Sequence, residues 1–133
     1  MIYLDSAALI KLVRRERESD ALADWLEQQP NVPLVASALV EVEVPRALRR
    51  YEPNLLSAVP AVLKRIGVYD IDDVVRATAA AYQDVLLCSI DAIHLATAHA
   101  IFGSHLTAFV TYDHRLHKAA EDVGLPVAQP GTV

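Results

Sequence analysis

A single cysteine, only four glycines and no long apolar run set the first limits on this chain of 133 residues. One thiol, Cys88, cannot build an intramolecular disulfide framework, so the fold rests on packing alone, as suits a reducing compartment. Cys88 lies in the apolar stretch Val85-Leu86-Leu87-Cys88 and reads as a core thiol rather than a nucleophile. Scarce glycine and a hydrophobic content of 53% speak against disorder and for a compact, mostly helical chain. No apolar run approaches the length that spans a bilayer. The N-terminus lacks the basic-then-apolar layout of a secretion signal, because Asp5 interrupts it. The expected compartment is the cytoplasm, without membrane contact. Positive charge is also in short supply: the formal net charge of −5 gives no general attraction to nucleic acid. Any such activity must rest on a local site, where a cation in an acidic pocket would reverse the local sign.

The length suits one domain with a core of its own, spanning residues 1–133, and no repeat or linker interrupts it. Short apolar strands are expected at residues 2–4, 34–36, 67–71 and 108–111, with a further edge strand at 125–128. Helical periodicity marks residues 7–15, 16–29, 38–51, 72–86, 90–102 and 114–123. Ser19 and Ser89 are candidate caps, and Gly124 stops the last helix. A further helical stretch opens at Pro53 and should be kinked by Pro60. Strands that alternate with helices predict an α/β fold with a parallel sheet and crossover helices.

Acidic residues recur at the boundaries of these elements. Asp5 follows the first strand, Asp113 follows the fourth, Asp91 opens the helix after Ser89, and a glutamate lies in the helix after the second strand. A parallel sheet gathers the carboxyl ends of its strands on one edge, where ligands bind. Each acid has an ordinary alternative as a helix cap or first-turn residue. Their joint placement points to a site, and carboxylates held together call for a cation. Mg²⁺ suits one or two carboxylates plus waters, Mn²⁺ is its natural substitute, and no Cys/His set favours zinc. Glu41 and Glu43 lie two apart on the helix and point to nearly opposite sides, and spacing does not choose between them. Pro45 should kink that helix or delay its start. His94, three residues after Asp91, reads as a satisfied core histidine that could also donate to a site carboxylate. His114 and His117 lack any further ligand. Arg46, Arg49 and Arg50 form a basic segment suited to phosphates, to a solvated face or to a protein partner.

The segments IYLDSAALIKL, SALVEVEVPRALRR, SIDAIHLATA and FVTYDHRLHKAAEDVGLPV, in that order, resemble the PIN-domain ribonucleases, and among them the VapC-type toxins of bacterial toxin–antitoxin pairs. The likeness runs over essentially the whole chain. It implies a PIN-like three-layer fold, with a short, mostly parallel sheet flanked by helices. It also implies metal-binding acids at Asp5, Glu43, Asp91 and Asp113, with hydroxyls supporting the site at Ser6 and Thr111. Glu43 is the family's glutamate by its distance from Ser37 and its place before Arg46-Ala47-Leu48, whereas Pro45 departs from the helix formers commoner there. The activity implied is a Mg²⁺-dependent endoribonuclease that hydrolyses RNA with a metal-activated water, leaving a 5′-phosphate and a 3′-hydroxyl. A VapB-type antitoxin and a homodimer are implied as partners. Neither Tyr51, Tyr69 nor the arginines identify the RNA target.

Three rivals can be weighed on residues. A receiver-type phosphoacceptor domain wants paired acids near the first strand and a lysine after the last; Asp5 stands alone and LPVAQPG has no lysine. An Asp-x-Asp hydrolase is excluded by Ala7. A catalytically silent PIN-fold binding module would have no need of all four acids.

Overall fold

Three residues of strand at the N-terminus, Ile2–Leu4 (β1), form the middle of the sheet. The computed structural model describes residues 1–132. From β1 the chain runs through α1 (Ser6–Val13) and α2 (Ser19–Glu27) to β2 (Leu34–Ser37). It continues through α3 (Val40–Tyr51), a 3₁₀ segment (Pro53–Ala58) and α4 (Val59–Leu63) to β3 (Ile66–Tyr69). Then come α5 (Asp73–Ala81), α6 (Ser89–Ala96), a π-helical turn (Thr97–Phe102), β4 (Ala108–Val110), α7 (His114–Asp122) and β5 (Val127–Ala128). The strand order is β3-β2-β1-β4-β5, and every neighbouring pair is parallel.

Alternation along these short strands feeds two cores. Ile2, Leu4, Ala36 and Val110 face one side, where they pack with Leu9 of α1, Leu22 of α2 and Val40, Val44 and Leu48 of α3. Tyr3, Val35 and Phe109 face the other, against Leu95 of α6 and Leu116 and Ala120 of α7. Helices thus cover both faces in three layers, which explains strands that are apolar throughout. The order also places a switch point between β1 and β4. From β1 the chain crosses toward β2 on one side, and from β4 toward β5 on the other. In open α/β sheets ligands bind in a crevice at the carboxyl ends of the strands beside such a point, which here is next to Asp5 and Asp113.

The five strands fall where the sequence places them, within two residues at either end. Several helices do not run as expected. Pro45 does not break α3: the helix starts at Val40, two residues later than expected, with tight bonds from the Glu41 and Val42 amides to the Ala38 and Leu39 carbonyls, and runs through Pro45. The fully buried stripe Val40, Val44, Leu48 holds it on the sheet against the missing hydrogen bond. Pro60 does not kink one long helix either. It sits in the first turn of the separate α4, where a missing amide costs nothing.

Neither serine caps its helix by a side-chain bond. Each is the first helical residue, and the Ser19 hydroxyl instead accepts from the Glu16 amide and donates to the Arg14 carbonyl. α6 ends at Ala96 rather than Phe102, because the Thr97 hydroxyl donates to the Ile93 carbonyl at 2.7 Å and the helix widens into the π turn. The helix expected to reach Leu86 ends at Ala81, since Asp84 turns the chain by accepting the Leu86 amide at 3.0 Å. That turn throws Val85 out, 92% exposed, and leaves only Leu87 of the apolar stretch buried. Cys88 is consequently an exposed thiol and not a core one.

Candidate active site

Each acid reaches the crevice by a local rule. Asp5 leaves β1 with extended backbone and caps α1, its Oδ1 accepting the Ala8 amide at 2.9 Å. Asp113 does the same after β4, its Oδ1 accepting the Leu116 amide at 2.9 Å. Cap and site are therefore not alternatives: the cap engages one oxygen of each carboxylate and leaves the second for another partner. Thr111 links the two strand ends. Its hydroxyl accepts the Asp113 amide at 3.2 Å, and its presence beside Asp5 holds that carboxyl down.

Glu43 and not Glu41 faces the site. Glu41 is exposed, whereas the half-buried Glu43 accepts the Ser6 hydroxyl at 2.6 Å and His94 Nε2–H at 2.9 Å, both on Oε1. Ser6 and His94 Nε2 also lie 3.3 Å apart. A carboxylate only accepts, so the proton sits on Nε2; His94 Nδ1 then accepts from the Tyr3 hydroxyl at 2.7 Å. The Tyr3 oxygen in turn accepts the Ser37 amide at 3.2 Å. Sequence reasoning read Tyr3 as a strand former and missed this link. The available signal was a phenol inside an apolar strand, which must find a partner once buried.

Electrostatics brings the four acids into one field. Burial pushes the Asp5 carboxyl above its ordinary value, and Asp91 pushes it further, against the opposing pull of His94, Thr111 and the Ala8 amide. Asp91 is raised by its own burial, and also by Asp113 and Glu43, while Cys88 and His94 oppose. Glu43 goes the other way. Burial raises it, but the hydrogen bonds from His94 and Ser6 outweigh that and hold it below the usual range. Asp91, in the first turn of α6, is raised by Asp113 and Glu43 and raises Asp5 in turn. Among the described residues no three His, Cys, Asp or Glu side chains already close on one point. The arrangement is an open rim of carboxylates, suited to an ion that keeps several waters and takes few protein ligands. His114 and His117 stand apart from it, and His117 pairs with Glu121 along α7 at 3.3 Å. Among the described residues no helix is long and apolar enough to cross a membrane.

Comparisons with known proteins bear on the whole chain. The PIN domain family matches residues 2–122. Ribonuclease VapC35 of Mycobacterium tuberculosis is 54% identical over 132 residues, covering 98% of both chains. Among solved structures, the sarcin-ricin loop cleaving toxin VapC20 of the same organism superposes with a TM-score of 0.76 at 14% identity, over 98% of this chain and 100% of that one. A toxin–antitoxin complex from Klebsiella pneumoniae gives 0.72 at 23% identity, over 98% of each chain. The last two speak for the fold alone.

Proposed function

Because the chain belongs to the PIN domain family, we propose that it is a metal-dependent endoribonuclease, the toxin of a VapBC-type toxin–antitoxin pair, acting as a single PIN domain. The observation that carries this reading is the placement of the acids at one sheet edge: Asp5 and Asp113 cap helices beyond the adjoining strands β1 and β4, and Glu43 is hydrogen-bonded to Ser6, next to Asp5, and to His94, one turn from Asp91. Mutually repelling, partly desolvated carboxylates are costly without a compensating cation, and a set of hard oxygen ligands fits Mg²⁺, or Mn²⁺ in its place. Such an ion supplies a water of lowered pKa and a Lewis acid for the scissile phosphate. We assign Asp5 and Asp91 as its firmest ligands, with Asp113 and Glu43 completing the set directly or through water.

The chain's own groups do the rest. The Ala8 and Leu116 amides fix one oxygen of Asp5 and of Asp113. Ser6 orients Glu43 by a hydrogen bond, and Thr111 supports Asp5 from beside its carboxyl. Arg46, Arg49 and Arg50 lie further along α3 from Glu43, at spacings that share one helix face, and offer guanidinium groups to RNA phosphates. The partner is an antitoxin whose segment covers the acidic rim, with an arginine as the natural counter-ion. The exposed apolar side chains Val85, Leu86 and Ile90 support a homodimer, and light scattering should return twice the chain mass at working concentration. The cytoplasm is the fitting compartment for both RNA and antitoxin.

The test is cleavage of total cellular RNA by the purified protein with Mg²⁺. Discrete fragments that vanish with EDTA and return when Mg²⁺ is restored are expected. Fragments that persist in EDTA would remove the metal from the reaction. No cleavage by a preparation shown by mass spectrometry to hold no bound antitoxin would favour a silent binding module.

A further inference from the structure

We propose that Tyr3 and His94 form a buried positioning relay that sets the Glu43 carboxylate and so tunes the metal affinity of the acidic rim. The proposal rests on the metal-dependent reading above, and concerns two residues that touch neither metal nor substrate.

The geometry runs in one direction. The Ser37 amide donates to the Tyr3 oxygen, the Tyr3 hydroxyl donates to His94 Nδ1, and His94 Nε2–H donates to Glu43 Oε1. Each donor therefore fixes the proton of the next group, and the imidazole is held in the one tautomer that can serve a carboxylate. Glu43 Oε1 receives both His94 and Ser6, which leaves Oε2 available to another partner. Metal-binding carboxylates are commonly held this way by outer hydrogen bonds, and their loss weakens metal binding.

The relay also joins the elements that carry the acids. Tyr3 is in β1, two residues before Asp5. Ser37 ends β2, just ahead of the helix that bears Glu43. His94 is one turn beyond Asp91 on α6. A shift of α6 against the sheet would break the Tyr3–His94 bond and move Asp91 and Glu43 together. The ring of Tyr3 is locked as well, stacked on Phe109 at 5.1 Å with an interplanar angle of 4°.

Stability gives little reason for these residue types beyond an acceptor for the buried Ser37 amide. Tyr3 is 0% and His94 2% exposed. Phenylalanine and leucine would fill the same space without two polar side chains to desolvate, and removing both partners of such a pair is often neutral or stabilising. What the apolar pair would lack is a donor to Glu43. The chain also holds an internal contrast. Tyr82 and His99 form a second tyrosine–histidine hydrogen bond, 3.1 Å long, which meets no carboxylate.

The experiment measures Mn²⁺ binding by electron paramagnetic resonance on the purified chain without RNA, beside its melting temperature. The double variant Tyr3→Phe/His94→Leu should fold and melt no more than a few degrees below the wild type, since the buried Ser37 amide loses its acceptor, while its Mn²⁺ dissociation constant rises by about 10–100-fold. His94→Gln, whose amide can donate to Glu43, should recover part of that loss. Tyr82→Phe removes the comparable bond elsewhere and should leave Mn²⁺ affinity unchanged. Where the double variant does not fold, Tyr3→Phe carries the test alone, because it keeps the ring stacked on Phe109; its Mn²⁺ affinity should fall in the same direction. Variants that fold and bind Mn²⁺ as tightly as the wild type would overturn the relay and leave the metal site standing. So would an equal loss in Tyr82→Phe, which would mark the effect as general loosening. A wild type that binds no Mn²⁺ would bring down the metal reading and the relay with it.

Discussion

Asp91→Asn protein is expected to fold and melt like the wild type and to have lost Mg²⁺-dependent cleavage of RNA. Asp91 is the acid that feels all the others: Asp113 and Glu43 both raise its carboxyl, and it raises that of Asp5 in turn. Removing its charge therefore takes away the centre of the field that attracts a cation. The loss should exceed the roughly 10–100-fold that follows when only an outer partner of a metal ligand is removed. The fold, by contrast, gains relief from a repelled and half-desolvated charge. It loses only the interaction of an acid with the first turn of α6, on the order of 0.3–1 kcal/mol. The two effects roughly cancel, and a melting temperature within a few degrees of wild type is expected. Cleavage of total RNA and thermal unfolding of the same two preparations decide the matter. Wild-type cleavage by Asp91→Asn protein, still abolished by EDTA, would place the metal elsewhere. Lost cleavage together with a collapsed melting temperature would make Asp91 a structural residue.

The sheet edge was legible because the information is local. A short apolar strand followed within three residues by aspartate, twice, states both the element and the place of its acid. Parallel topology then brings Asp5 and Asp113 to the same edge whatever the strand order. The order itself is not written in any one segment; that β1 lies in the middle depends on which helices find room on which face. Glu43 against Glu41 could not be settled by helical spacing, because the choice depends on a contact across the fold, the Ser6 hydroxyl 37 residues away in sequence. His94 presents the same difficulty. A histidine on an apolar helix face reads as core, and it is core; that it also serves a carboxylate is visible only when α3 and α6 are set side by side.

The misreadings have physical causes too. Val85-Leu86-Leu87-Cys88 is apolar, and apolar runs are mostly buried, yet Asp84 competes for the local amides and turns the run outward. Pro45 looked disruptive because an isolated helix would break there. Its helix is held by Val40, Val44 and Leu48 against the sheet, and tertiary packing outweighs local propensity.

Asp5 supplies the second large effect, a link between pH, metal and stability. Its buried carboxyl is raised mainly by desolvation, with Asp91 adding to the shift. A carboxyl raised in the folded state binds more protons folded than unfolded, so the stability it lends is full below its unfolded value, about 3.9, and is lost as pH rises through its elevated folded value. The metal-free protein should thus weaken across that window, and Asp91 acts in the same sense. Glu43, lowered by His94 and Ser6, contributes with the opposite sign and below the ordinary range. Mg²⁺ takes up ionised carboxylates, so its binding should strengthen as pH rises through the same window. At about a hundred times its dissociation constant it should add about 2.7 kcal/mol to the stability at neutral pH, and progressively less in acid. Asp5→Asn isolates the charge, since asparagine caps a helix as well as aspartate does and the Ala8 amide keeps its acceptor. Its metal-free form should be at least as stable as the wild type at neutral pH, with a flatter pH profile and little response to Mg²⁺. Denaturant unfolding from mildly acidic to neutral pH, with and without Mg²⁺, provides the comparison. A Mg²⁺ increment that ignores pH and survives Asp5→Asn would take Asp5 out of the ligand set.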